Sequence, residues 1–249
     1  MKNSIWKLVR RSRKVRVAFA TAAFALPLSA TGEGLNVLIL SGSNNHNWRA
    51  TTPVLQEILE EGGLFEVSVT ERPHELVAGD LEGYDVLLSN WNTFGMNGPT
   101  WPESLRAAVL DFVRAGKGFV VVHAGSSSFW EWDGFPELTG ATWTQGLTSH
   151  RQPHEFKVEI VEPDHPVTRG MEAFTTKDEL WINPDLHEEA LVLTEAEGQP
   201  SALVTSFGDG RGFTLLLGHE HHFMKNEGFQ TLLLRGTKWA ATGTETFDP

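Results

Sequence analysis

The chain has 249 residues and no cysteine, with 20 basic against 32 acidic residues and a net charge of −12. Without cysteine there is no thiol nucleophile, no disulfide and no thiolate metal site. The acidic balance argues against nucleic acid and anionic membrane surfaces as partners, because both attract basic patches.

Residues 1–32 read as a secretory signal peptide. Lys2, Lys7, Arg10, Arg11, Arg13, Lys14 and Arg16 fill the start without an acid, and an apolar, Ala-rich run from Val17 to Leu28 ends at Leu28-Ser29-Ala30. That run is too short for a comfortable membrane span, so no stable membrane insertion is expected after cleavage. Removing the leader takes away seven basic residues and leaves 13 basic against 32 acidic, a net of −19. Residues 33–249 are expected to form a single domain, periplasmic or extracellular, large enough for a sizeable core.

Leu35–Leu40 predicts the first strand, and Ser41–Trp48 the loop after it, with His46. A helix is expected from about Thr52 to Glu61, capped by Thr51 or Thr52, with Pro53 at its first position. Phe65–Thr70 alternates as a second strand, and Tyr84–Ser89 forms a third, ending in Asn90-Trp91-Asn92. Pro102–Ala115 has the helical pattern, with Gly116 at its C-cap. Phe119–Val122 is apolar without alternation, as in a parallel strand buried on both faces, and runs straight into His123 and the small residues Ala124 to Ser128. Phe129–Gly146 is an aromatic-rich insertion. Strands are expected at Glu155–Val161, Glu189–Thr194, Ser201–Thr205 and Gly212–Leu217, the last two paired, and a final helix at about Gly228–Ala241. Asp164–Gly170 reads as a turn with a structural His165, and His150 and His154 as surface residues. This order predicts an α/β fold, a flavodoxin-like doubly wound, mostly parallel sheet.

In such a sheet ligands bind beyond the carboxyl ends of the strands. Three of those ends carry histidine: His46, His123 and His219. Their convergence with a carboxylate from Glu220, Asp178 or Glu179 would match the ligand set of zinc and of other borderline divalent metals, and equally general acid–base chemistry near neutral pH. His123, His219, Glu220, Asp178 and Glu179 are therefore the catalytic candidates, and His46, His123 and His219 the metal ligands. Of the vicinal His221 and His222, at most one is expected to join the site. Nine tryptophans is a large number. Trp48, Trp91, Trp130 and Trp181, with Asn90, are the candidate contacts to a sugar ring, by stacking and hydrogen bonding. No nucleotide cofactor is expected: Gly208–Gly212 joins two strands, not a strand and a helix. Val122–Ser126 lacks the G-x-S-x-G spacing of a serine nucleophile.

Several segments together resemble the ThuA-like (trehalose utilisation) family: Val37–Leu40 with His46; Gly116–His123; His165–Gly170 followed by Phe174 and Asp178–Trp181; Gly208–Arg211; Leu217–Glu220; and Phe229-Gln230 with Arg235–Ala241. The match spans roughly residues 35 to 242. It implies a class I glutamine amidotransferase-like fold, in which a Cys at a strand-to-helix elbow works with a late His-x-Glu. Here His123 lies near the elbow position and Gly218-His219-Glu220 near the late His, so glutaminase chemistry is not expected. The resemblance implies a role in breaking down disaccharides, with a sugar or keto-glycoside as ligand. A carbohydrate-binding domain that uses the same cleft without catalysis is the alternative.

Overall fold

The computed structural model describes residues 34–95, 98–129 and 131–244; the expected signal peptide and Trp130 lie outside them. The strands are β1 (Leu35–Leu40), β2 (Phe65–Thr70), β3 (Val86–Ser89), β4 (Gly118–Val122), β5 (Ala141–Thr142), β6 (Ser149–His150), β7 (His154–Ile160), β8 (Phe174–Asp178), β9 (Trp181–Ile182), β10 (Asp185–Leu186), β11 (Leu191–Ala196), β12 (Gln199–Phe207) and β13 (Gly210–Leu215). The helices are α1 (Trp48–Glu60), α2 (Glu103–Arg114), α3 (Gly134–Thr139) and α4 (Glu227–Thr242).

One nine-stranded sheet has the order β2-β1-β3-β4-β13-β12-β11-β7-β8. The first five strands run parallel. β12, β11, β7 and β8 continue the sheet antiparallel. The flavodoxin-like half is thus complete once β13 docks beside β4, and the second half is a meander joined to it through the β12–β13 hairpin.

Alternation along the central strands builds two cores. Val37, Ile39, Val120, Val122 and Leu215 face Leu55 and Leu59 of α1 and Leu232 and Leu233 of α4. Leu38, Leu40, Leu87, Phe119 and Val121 face Leu105, Val109 and Val113 of α2 and Leu138 of α3. A strand whose odd and even residues are both apolar can only be sandwiched, which is why β4 carries no polar position. At Gly236, α4 rides directly on Phe213: a Cβ there would lie 2.1 Å from a ring carbon.

α1 begins at Trp48, four residues before the expected start. The Asn47 carbonyl accepts from the amides of both Ala50 and Thr51, so the first turn closes ahead of the threonines, and Pro53 falls inside the helix.

The meander curls. In a flat sheet β8 would lie about 19 Å from β13, four strand spacings away. Yet Asp178 at the end of β8 accepts from the amide of Gly218, just past β13, at 2.7 Å. Register shifts between Val192 and Glu195 in β11 supply the local bend. This curl carries the Asp178-Glu179 pair back over the carboxyl ends of the parallel strands.

Candidate metal centre

β1, β4 and β13 are parallel, so their carboxyl ends share one edge of the sheet, and each delivers an imidazole there. The ring of His46 lies 5.0 Å from His123 and 4.5 Å from His219, centroid to centroid, and His123 lies 5.3 Å from His219. Glu179 completes the group. His46, His123, Glu179 and His219 each offer one ligand atom within 4.8 Å of all the others, so this group could hold a metal ion.

The imidazole orientations follow from their outer partners. Nδ1 of His123 lies 2.7 Å from the Leu216 carbonyl, which only accepts, so Nδ1 carries a proton, and in the neutral ring Nε2 presents its lone pair inward. The Asn44 amide oxygen accepts from the His46 backbone N–H at 2.9 Å and from Asn92 Nδ2 at 3.2 Å, which fixes it as an acceptor. Nδ1 of His46 lies 3.2 Å from that oxygen and 3.0 Å from Asn45 Oδ1, so it donates, and Nε2 is left for the cluster. Inside, His123 Nε2 is 3.3 Å from His219 Nδ1 and 3.4 Å from Glu179 Oε1. His219 Nδ1 is 3.5 Å from Glu179 Oε2. Ligand bonds of about 2.0–2.2 Å at tetrahedral angles set ligand atoms about 3.3–3.6 Å apart. The separations among His123, His219 and Glu179 therefore match those of a tetrahedral ligand set, and His46 offers its ligand atom within 4.8 Å of the other three.

The backbone at His123 is left-handed, with φ of +44°, in a 3-10 turn spanning His123–Ser127. A non-glycine residue pays for that conformation with strain of order 1–3 kcal/mol and keeps it only where the surroundings fix it. Here Gly125 fits under the Ser89 carbonyl, where a Cβ would approach to 2.7 Å.

Asn92, fully buried, ties three of the loops together. Its Nδ2 donates to the Ala124 carbonyl at 2.8 Å and to Asn45 Oδ1 at 2.9 Å, and its Oδ1 accepts from the Asn45 amide at 3.1 Å. It thereby holds the asparagines that orient His46 against the turn that carries His123. Asn92→Ala is expected to weaken divalent-metal affinity about 10–100-fold, as loss of an outer partner does elsewhere. Titration well below the melting temperature, with wild-type far-ultraviolet dichroism as the control, checks this.

The cluster shifts its own titrations. Burial, and then the neighbouring His123 and His219 charges, hold His46 down to about 3. Burial alone would raise the Glu179 carboxyl, but hydrogen bonds and charges from His123 and His219 outweigh it and hold it well below the usual carboxylate range. For His219 burial pulls downward, yet the Glu179 hydrogen bond and charge raise it above the ordinary histidine value. Between pH 6.5 and 3 unfolded His46 binds a proton that the folded protein refuses, so stability is full above 6.5 and is lost as pH falls through this window. From pH 6.5 to 5 the His46 contribution to that loss is about 2 kcal/mol in metal-free protein. Burial pushes the Asp178 carboxyl upward, which acts in the opposite sense. The measurement is therefore a difference: wild type loses about 4–8 °C more melting temperature than His46→Asn over that interval.

The expected site residues divide sharply. His46, His123, His219 and Glu179 meet. Glu220 lines the mouth of the same cavity, half exposed and 3.1 Å from His222. Asp178 does not face the cavity: it is 1 % exposed, and its carboxylate accepts from the backbone amides of Gly218, His219 and Glu179. It positions the His219 loop instead of meeting a substrate. Of the sugar-contact residues, Trp181 lines the cavity, 5.6 Å from the His123 ring. Trp91 is core, stacked on Phe129 at 5.2 Å and packed on Trp101 at 5.4 Å, because β3 ends pointing into the α2 side. Asn90 is buried and donates to the hydroxyls of Thr51 and Thr52, holding α1 to β3. Trp48 is buried at the start of α1 beneath Arg49. Of the expected tryptophan contacts among the described residues, Trp181 alone lines the cavity, and Trp48 and Trp91 lie inside the fold.

His165 is structural, as expected: its Nδ1 accepts from the Val167 amide and its ring packs on Trp239. His150 is exposed, as expected of a surface residue, and yet its Nδ1 lies 2.8 Å from Glu179 Oε2 and it lines the cavity, because β6 pairs with β9 and brings Ser149-His150 opposite Trp181-Ile182. A two-residue strand has no periodicity to read. His221 lines the cavity while His222 turns to Glu220.

The cavity has a volume of about 530 Å³ and is walled by Phe94, Trp143 and Trp181, with Asn45, Asn47, Thr51 and Ser127 as polar partners. Among the described residues no helix is long and apolar enough to cross a membrane.

The protein is similar to a ThuA-like protein from Parabacteroides merdae, with 27% identity, a TM-score of 0.77, and 87% of this chain and 93% of that one covered. It is also similar to a ThuA-like protein from Bacteroides uniformis, with 19% identity, a TM-score of 0.65, and 86% and 95% coverage. A β-galactosidase from Rahnella sp. R3 shares the fold over 32% of its own length and 84% of this chain, at 15% identity and a TM-score of 0.57. No curated protein matches. The family profile described as ThuA, trehalose utilisation, matches residues 36–240. By that match over nearly the whole described chain, the protein belongs to the ThuA family.

Proposed function

We propose that the protein is an exported, metal-assisted enzyme of carbohydrate utilisation that acts on a sugar or keto-glycoside. The observation that carries this is the convergence of His46, His123, His219 and Glu179 within 4.8 Å of one another, with His46, Glu179 and His219 lining an open cavity and His123 buried behind them. Three imidazoles and one carboxylate suit zinc or a similar divalent ion. Four protein ligands fill a tetrahedron, so such an ion would supply Lewis acidity toward a carbonyl or an acidified water only through a fifth position or one that Glu179 gives up.

The chain's own groups do the rest. The Leu216 carbonyl and the Asn44–Asn45 pair lock the tautomers of His123 and His46. His150, which touches Glu179 and reaches solvent, moves protons between the cluster and bulk water. Trp143 and Trp181 offer apolar faces to the C–H face of a sugar, and Asn45, Asn47 and Thr51 offer partners to its hydroxyls. No cysteine stands at the elbow, so the chemistry is not that of a glutaminase. Export rests on the basic, then apolar, leader of residues 1–32.

Metal-loaded protein, incubated with a panel of glycosides and 3-keto-glycosides, is expected to turn over at least one of them. Chelator should abolish that turnover and a divalent ion restore it. Binding without turnover would favour the non-catalytic carbohydrate-binding reading. Turnover undiminished in His123→Ala would overturn the assignment.

A further inference from the structure

A full tetrahedron of protein ligands leaves no place for a substrate atom unless one ligand lets go. The three histidines are tied down from behind. His123 is buried in its left-handed turn and held by the Leu216 carbonyl at 2.7 Å. His46 is held by the side-chain oxygens of Asn44 and Asn45 at 3.2 and 3.0 Å. His219 stands in a loop whose amide donates to the Asp178 carboxylate at 3.0 Å. Glu179 differs. Its backbone amide is tied to Asp178 as well, but its carboxylate meets only histidines among the described residues.

The two oxygens of that carboxylate are divided. Oε1 faces inward, 3.4 Å from His123 Nε2. Oε2 lies 2.8 Å from Nδ1 of His150, its shortest contact, and 3.5 Å from Nδ1 of His219. The other neighbour of His150 Nδ1 is the Arg151 carbonyl at 3.4 Å. Carboxylate and carbonyl both only accept, so His150 Nδ1 carries a proton and donates to Glu179, in the neutral ring as in the charged one. His150 is outside the four-ligand group. It lines the cavity from β6, which pairs with β9 just beyond Glu179-Leu180. Arg151 secures that strand: its amide donates to the Leu180 carbonyl at 3.3 Å, and its guanidinium to the Glu197 carboxylate. A fixed donor thus stands beside the one ligand that has no anchor outside the histidines.

We propose that His150 is a positioning residue that makes Glu179 the releasable ligand, receiving its carboxylate when a substrate oxygen takes the vacated place. The inference rests on the reading of the cluster as a metal centre and adds which ligand yields, and to what. A hydrogen bond to a charged group is stronger than an ordinary one, and a carboxylate away from the ion keeps its full charge. The His150 bond therefore favours the released carboxylate over the ligated one by about 3–30-fold. An outer partner that merely steadies a bound ligand acts in the opposite sense, and its loss lowers metal affinity about 10–100-fold.

The test titrates cobalt(II), and then azide at saturating cobalt, into metal-free protein, following the visible absorption of the ion. The proteins are wild type, His150→Ala, His150→Asn, Glu179→Ala and the double variant His150→Ala/Glu179→Ala. His150→Ala should bind cobalt more tightly than wild type and azide more weakly, each by about 3–30-fold. His150→Asn, whose amide N–H reaches about as far as Nδ1, should return most of both values toward wild type. With no carboxylate to receive, His150 should cease to matter: azide affinities of Glu179→Ala and the double variant should agree within about twofold. Cobalt affinity that falls in His150→Ala, azide affinity that does not change, or no azide binding to cobalt-loaded wild type would overturn the inference. So would a His150 effect that persists without Glu179, since His150 would then meet the azide directly. No cobalt bound by wild type would overturn the reading of the cluster as a metal centre, and this inference with it.

Discussion

His123→Ala is expected to lower divalent-metal affinity by about 10²–10³-fold. A structural zinc site of four ligands is worth roughly 10–16 kcal/mol at neutral pH, so one ligand accounts for about 3–4 kcal/mol of it. His123 has the most fixed geometry of the four groups. It is 2 % exposed, its Nδ1 is held by the Leu216 carbonyl, and its backbone is locked left-handed at the end of the most buried strand. The residues that follow it in the turn cannot take its place, because Ala124 and Gly125 carry no donor side chain and the serines are engaged with backbone carbonyls. Competition with a chromophoric chelator measures the change. His123→Gln offers an amide oxygen at similar reach and should recover part of the affinity but not all. An alanine variant with wild-type affinity would remove His123 from the ligand set.

Asp178→Asn is expected to cost about 1–3 kcal/mol of stability, a fall in melting temperature of roughly 2–12 °C. The Asp178 carboxylate accepts from the amides of His219 and Glu179 with Oδ1, at 3.0 and 2.8 Å, and from Gly218 with Oδ2 at 2.7 Å. An asparagine can satisfy only one side: its Nδ2 would face a second N–H donor, or its single oxygen would abandon two. Gly218 cannot adjust easily. Its φ is +104°, and a Cβ there would meet Phe229 at 2.9 Å and Val122 at 3.1 Å, so the loop is wedged against the core. Because these amides set where His219 and Glu179 stand, the variant should also lose metal affinity. Scanning calorimetry with metal-free protein separates the two effects. A variant that melts as wild type does would show that the meander is held over the site by other contacts.

The sequence made the parallel half of the fold readable because its signals there are local. β1 and β2 lie where the periodicity put them, to the residue, and β4 starts only one residue early. Strand-end histidines could be assigned to one edge because parallel strands must share it. Three things were not readable. The curl of the meander is a long-range property that hangs on one carboxylate and a bulge, so Glu179 and Asp178 could be named together but not told apart. His150 sits on a two-residue strand whose partner lies thirty residues on. The tryptophans misled because ring chemistry is the same in a core and in a cleft: Trp91 fills the α2 side, while Trp143, which walls the cavity, is set apart only by the turn that follows it.

The account stands on a metal at the His46–His123–Glu179–His219 group. Elemental analysis of the mature protein, purified without an affinity tag and then equilibrated with zinc and desalted, tests it most directly. It should find about one equivalent of divalent metal in wild type and well under a tenth in His123→Ala. No metal as purified, and none retained after equilibration, would contradict the account and leave the three histidines and Glu179 as a metal-free acid–base cluster.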